Sequence, residues 1–487
     1  MNGYSLEESS FFNTLSDHDG RATPLMRSTT TTYGRHTIRL SFLACASLIL
    51  ALLSLTCSDL GEISGDPFIR SYNGKLLPST GQIKALVVFV QFKDHTTSDP
   101  DWPVDSLPNW ATDFIGSTVE QGGNYPPGGL SDRIFRFSNR KLHVLGDIYP
   151  RAVITDLSSD QYASYGDVNL EIVQKIDKDV NFAQYDQLNS NDSYVRQGPD
   201  RLVDLVMIVY RGVPAAFGPI FYWGVGELGF DSYYTDDNNV RIGRYPSSGL
   251  AVAFQPKSGA VTPFDDAVGL AIHEVGHFFF EPGHIIENFA GLGAMSNENG
   301  GSSFNSIERR LLGWSDFMYV NSDSAILTLR DFFTTQDAAA VRIVSSEREW
   351  FIIENRQKVD PLDKARHPGI YVYYFDGSFG YGLDIVSADG RWDWTLNAAN
   401  QEAEKTTENP AFGTSKLQKT RFGTDLRRPP GYSGDSLDAF YFGHKTRVSP
   451  RINPASFTRR GSYTGVQIDL MSFSNGVYTV KVVRNKP

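Results

Sequence analysis

A chain of 487 residues with 56 acidic and 45 basic side chains carries a formal net charge of −11, which argues against a nucleic-acid binder, since such proteins present a basic face. The composition is 40% hydrophobic and 21% charged with no long biased tract, that of a folded globular protein with room for two domains or subdomains. Only two cysteines occur, Cys45 and Cys57, so beyond residue 58 the chain has neither a disulfide nor a thiolate metal ligand.

In chain order, the first distinctive segment is residues 40–58, uncharged and mostly apolar, preceded by Arg27, Arg35, His36 and Arg39. Charge ahead of an apolar run is the pattern of an export signal. Met26 is a candidate start, and Leu55-Thr56-Cys57-Ser58 loosely resembles a lipoprotein cleavage site. The run also approaches the length of a single membrane anchor. The expectation is therefore export, with the product secreted or anchored to the cell envelope. Residues 59–80, broken by Gly61, Gly65, Pro67, Gly74 and Pro78, read as a linker or short pro-segment.

Residues 83–92 are an apolar, β-branched run, the signature of a strand buried on both faces. Helical spacing follows over 109–120 and 131–139, then a strand over 142–149. In 168–180, Leu170, Val173, Ile176 and Val180 share one helical face. A second buried strand covers 202–210. This alternation predicts an α/β layer arrangement for residues 81–290. Past residue 315 the texture changes to short strands between turns, at 325–329, 339–344, 349–355, 369–375, 466–470 and 476–483. The expected divisions are an N-terminal signal or anchor (1–58), the linker (59–80), a catalytic domain (81–315) and a β-rich C-terminal part (316–487). Residues 386–440 are polar and take no clear assignment, and there is no internal repeat.

The informative segment is 264–280, which contains His273-Glu274-Val275-Gly276-His277. Asp265 or Asp266 is placed to cap the helix, and Val268, Ala271, Ile272, Val275 and Phe279 form an apolar face. His273 and His277, four apart, project one above the other, which suits two ligands of a tetrahedral Zn²⁺ with a position left for water. Glu274, about 100° around the helix, sits beside the metal, placed to take a proton from the water that zinc acidifies. For the third ligand His284 is the first candidate, beyond the Pro282-Gly283 turn; Glu281, Glu287 and the more distant Glu308 and Glu354 are alternatives.

A second cation, Ca²⁺, has a weaker candidate site in the loop carrying Asp231, Asp236, Asp237 and Asn239. Its spacing matches no EF-hand, so a solvated loop is the simpler reading. Gly291-Leu292-Gly293 and Gly300-Gly301 lack the lysine and the preceding strand of a phosphate loop.

Several segments together resemble the immune inhibitor A family of secreted bacterial zinc metallopeptidases. Residues 81–94 are similar to its opening strand, 131–147 to its helix–strand segment, and 204–210 to the strand before the active site. Ile307-Glu308-Arg309-Arg310-Leu311-Leu312-Gly313-Trp314 resembles the motif after it. The stretch Trp350–Lys358 with Pro368–Asp376 resembles the family's Glu-Asn-Arg region, and 463–480 its closing strands. The resemblance implies an α/β (α+β) fold: a metzincin-like catalytic layer with a mixed sheet and an active-site helix, then a β-rich C-terminal part. It implies Met295 in a turn beneath the metal. Three departures stand out. Phe280 replaces a usual Gly, Gly283 stands where an acidic ligand would be with His284 one place later, and Tyr374 replaces a usual His before Asp376.

The expected activity is hydrolysis of protein or peptide substrates at a zinc site, with Glu274 as general base. The contrasting expectation, motivated by Phe280 and the shifted His284, is a surface-anchored binding protein with a vestigial metal site; zinc content separates the two.

Overall fold

The structure, a computed structural model, describes residues 76–119, 124–189, 196–212, 224–237, 239–243, 249–253, 262–280, 292–295, 303–344, 346, 348–375, 383–388, 436–449, 456 and 464–485. The apolar run 40–58 lies outside them, as do His284, Glu281 and Glu287. No helix among the described residues is long and apolar enough to cross a membrane.

The chain is mixed α/β. Its central sheet contains β1 (Gly81–Gln91), β2 (Leu142–Ile148), β3 (Val153–Ile154), β4 (Val206–Tyr210), β5 (Gly224–Val225) and β6 (Gly249–Ala253). The order is β2-β1-β4-β6-β5, with β3 also paired to β1. β2, β1, β4 and β6 run parallel, and β5 closes the edge antiparallel to β6, with Ala251 opposite Val225 and Val252 opposite Gly224.

Successive side chains of β1 point to opposite faces, which explains why its sequence is apolar without alternation. Ile83, Ala85, Val87 and Phe89 enter one core, together with α1 (Leu130–Phe137) and α3 (Pro263–Phe280). Leu86, Val88 and Val90 enter another, against Val168, Ile172, Val173 and Ile176 of α2 (Tyr165–Asp177). The sheet is thus covered on both faces, α1 and α3 on one and α2 on the other.

Two helix expectations are corrected. The 109–120 pattern yields only the single turn Ala111–Phe114, because Ile115 is extended and Gly116 is drawn onto α1 and β2. The Gly116 amide donates to Ser131 Oγ at 2.8 Å, and its carbonyl accepts from Gly146 N at 2.9 Å. The 168–180 helix starts earlier, since Ser164 caps it by accepting from the Asp167 amide, and it ends at Asp177.

The C-terminal strands appear close to where the sequence places them. β7 (Met318–Val320), β9 (Ala338–Arg342), β10 (Trp350–Arg356), β11 (Gly369–Phe375) and β12 (Leu383–Ile385) form one sheet. β8 (Ser324–Leu329), β13 (Arg447–Val448), β14 (Val466–Ser474) and β15 (Val477–Arg484) form another. Phe351, Ile353, Val372 and Tyr374 face the second sheet, against Leu329, Ile468, Val480 and Val482. The opposite face, with Ala340, Ile352, Tyr371 and Tyr373, belongs to the same core as α3 and β1. The described residues therefore share one continuous packing system through β10 and β11, consistent with a single compact unit from Gly65 onward. The structure also explains Tyr374: it points into the sandwich and donates its hydroxyl to Glu349, away from the core that holds α3.

Candidate metal centre

α3 carries the two histidines, and its local sequence fixes where it starts. Thr262 is the cap: its hydroxyl oxygen accepts from Asp265 N at 3.1 Å and its carbonyl from Asp266 N at 3.0 Å. Pro263 occupies the first helical position, where no amide proton is needed. This corrects the expectation that Asp265 or Asp266 is the cap. The Asp265 carboxylate instead pairs with Arg133 of α1 at 3.1 Å, and Arg133 in turn bonds Asp360. The apolar face read from sequence is confirmed, with Val268, Ala271, Ile272, Val275 and Phe279 all fully buried. Its far end is held too: the amides of Leu76 and Leu77 donate to Phe278 O at 3.1 and 3.4 Å, satisfying a carbonyl that the last turn leaves open.

From this helix His273 and His277 present rings 5.1 Å apart at 86°. Glu274 Oε2 lies 3.8 Å from His277 Nε2, and the three residues offer ligand atoms that all lie within 4.8 Å of one another. His273 Nδ1 contacts the carbonyl of Ala294. A carbonyl only accepts, so the neutral imidazole carries its proton on Nδ1, and Nε2 keeps the lone pair a metal requires. Burial pushes the Glu274 carboxyl up to about 8, a direction that burial without a compensating cation produces.

Two close approaches shape the site. Met295 lies under the helix: a β-carbon at Gly276 would stand 2.3 Å from its sulfur, so only glycine lets the helix settle on it. On the other side the edge strand β5 and the residue after it pass close to Glu274 and His277. A β-carbon at Gly224 would meet Glu274 Oε1 at 2.1 Å, and one at Gly226 the His277 ring at 3.1 Å. Gly276→Ala is expected to displace Met295 from a fully buried position, costing about 1–3 kcal/mol of stability by overpacking. Thermal or urea denaturation checks this, and an unchanged midpoint would show that Met295 yields freely.

The residues present could hold a divalent ion such as zinc: two imidazoles, one of them in contact with a backbone carbonyl, beside a buried carboxylate. Of the third-ligand candidates, His284, Glu281 and Glu287 lie outside the described residues. Glu308 and Glu354 are committed to the fold. Glu308, in α4 (Ser306–Leu311), accepts from the amides of Ala294, Met295 and Asn305 at 2.9, 2.7 and 2.8 Å. Glu354 accepts from Ser306 N at 3.1 Å and from Arg356 Nε at 2.5 Å, and it also accepts from the Tyr373 hydroxyl.

Of the candidate Ca²⁺ residues, Asp236 and Asp237 lie with Asp177 of α2 in an acidic group of a kind that could hold a cation, and Asp231 is not part of that group. The loop is a hairpin turn between Ser232–Tyr234 and Arg241–Gly243. Asn239 takes its left-handed conformation (φ 60°), and Asp237 Oδ2 accepts from Phe182 N at 2.6 Å.

Thr262, Ala294 and Arg356 were missed from sequence. Thr262 immediately before Pro263 is a readable cap signal, but a backbone carbonyl and an arginine distant in sequence carry no local sign. No protein-family model matches the chain, and no curated protein is significantly similar to it.

Proposed function

We propose that the protein is an exported zinc-dependent endopeptidase of the immune inhibitor A-like, metzincin-like type. The observation that carries the reading is the pairing of His273 and His277 on one helix, with Met295 packed against Gly276 of the same helix. Their rings are 5.1 Å apart, His273 is held by the Ala294 carbonyl, and Met295 packs against Gly276. A HExxH helix over a methionine turn is the combination that separates metzincins from other HExxH enzymes.

His273 and His277 would hold the ion, with His284 the first candidate for the third position. Zinc, when bound, supplies Lewis acidity that polarises a carbonyl and lowers the pKa of a water to about 7. Glu274 takes the proton from the attacking water and delivers it to the departing amine nitrogen, so the C–N bond breaks as a carboxylic acid and an amine form. The strand β5, antiparallel at the sheet edge and adjacent to Glu274, supports an extended peptide as substrate, since a sheet edge can pair with one through its backbone.

The test is hydrolysis of unfolded protein or a peptide library by the full-length chain. Activity is expected to vanish with a chelator and return with one equivalent of zinc. Protein that carries stoichiometric zinc and cleaves nothing, or cleavage that survives chelation, would overturn the reading.

A further inference from the structure

We infer that Glu308 is a positioning residue for the metal centre, acting on His273 through the single peptide group that joins Ala294 to Met295. The inference rests on the proposed metal site and goes beyond it, since Glu308 touches neither histidine. The carbonyl of that peptide contacts His273 Nδ1, and its amide, Met295 N, donates to Glu308 Oε1 at 2.7 Å. Carbonyl and amide of a trans peptide lie in one plane and point in opposite directions, so holding the amide aims the carbonyl. Hydrogen bonds in such a chain also polarise one another: an acceptor on the amide makes the carbonyl a stronger acceptor for the imidazole N–H. His273 is thereby kept as the Nδ1–H tautomer, with Nε2 free of its proton for a metal.

The rest of the Glu308 environment serves the same placement. Its Oε2 accepts from Ala294 N at 2.9 Å and from Asn305 N at 2.8 Å. The Asn305 side chain answers by accepting from Ile307 N and Glu308 N, both at 2.9 Å. This reciprocal capping box fixes α4, and with it the carboxylate, relative to residues 292–295. From the other side Arg356 Nη2 donates to Leu292 O at 2.8 Å. The turn beneath the histidines is therefore clamped at Leu292, Ala294 and Met295 by two side chains from outside α3. Metal-ligating histidines commonly lean on a carboxylate directly; here one peptide group stands between them.

The experiment compares full-length wild type with Glu308→Gln and Glu308→Ala. Three quantities are read: the ¹⁵N shifts of the His273 imidazole in zinc-free protein, zinc affinity by competition with a chromophoric chelator, and the denaturation midpoint. Both variants are expected to lower the His273 Nδ1–H population and to weaken zinc binding by about 10–100-fold. A purely structural role would move the midpoint alone. Wild-type tautomer and zinc affinity within twofold in a folded variant would overturn the inference; if Glu308→Ala fails to fold, Glu308→Gln decides it. Wild type that takes up no zinc would sink the proposed function, and the tautomer comparison would still decide for or against Glu308.

Discussion

Glu274→Gln is expected to lower kcat by about 10²–10⁴-fold, the range that a positioned general acid–base group contributes, while zinc content stays at the wild-type level. The substitution keeps the shape and removes the ionisable oxygen. Shape matters here because β5 presses on the group, with Glu274 Oε1 only 2.1 Å from where a Gly224 β-carbon would lie. A larger or reoriented side chain would strike that strand, but an amide would not. Glu274→Asp keeps a carboxylate and withdraws it by one methylene, and misplacement of about 1 Å can cost ~10²-fold; partial loss is expected there. Steady-state kinetics with parallel metal analysis separates the outcomes. Full activity in Glu274→Gln would remove the general-base role, whereas loss of zinc together with activity would make Glu274 a ligand.

The second large effect is on stability. Arg356→Ala is expected to destabilise the fold by about 3–5 kcal/mol, the cost of breaking a buried ion pair by deleting one partner. Arg356 is fully buried and contacts Glu354 Oε1 at 2.5 Å, Asp363 Oδ1 at 2.8 Å and Leu292 O at 2.8 Å. Its removal leaves the Glu354 and Asp363 carboxylates without the guanidinium they pair with and releases one side of the turn beside His273. Arg356→Lys should rescue little, because a single ammonium cannot reproduce a planar fork reaching three acceptors. The loss should shrink when Arg356→Met is combined with Glu354→Gln and Asp363→Asn, since the orphaned charges dominate it. Urea denaturation measures all three; a loss below about 1 kcal/mol for Arg356→Ala would mean that water or rearrangement replaces the guanidinium.

Both effects bear on how the C-terminal part relates to the central sheet and α3. Residues 316–487 read from sequence as a β-rich part packed on the preceding layer, and their strands are legible because each is a short β-branched or aromatic run between turns. What the sequence hides is that one face of β10 and β11 enters the core of α3, and that Glu354 and Arg356 of β10 reach Ser306 and Leu292. These partners lie 48 and 64 residues apart in sequence, so no window of local periodicity contains both ends.

The same blindness made Glu308 and Glu354 candidate ligands. A buried acid that binds a metal and one that binds backbone amides are the same letter in a sequence; only their partners differ. The central strands and α3 were legible for the opposite reason: burial on two faces and a 3.6-residue apolar stripe are written in consecutive residues. The short turn at Ala111–Phe114 was not, because Ser131 and Gly146, which draw the chain away from a helix, arrive later in the sequence. Asp265 was misread as a cap for a related reason, its partner Arg133 lying 132 residues earlier.

Anomalous diffraction at the zinc edge, from crystals grown with one equivalent of zinc, tests the central claim most directly. The expected result is one peak about 2.0–2.1 Å from a ring nitrogen of both His273 and His277, with electron density from His284 or a nearby carboxylate reaching the same point. Crystals of the zinc-treated protein with no peak between those two rings would contradict it.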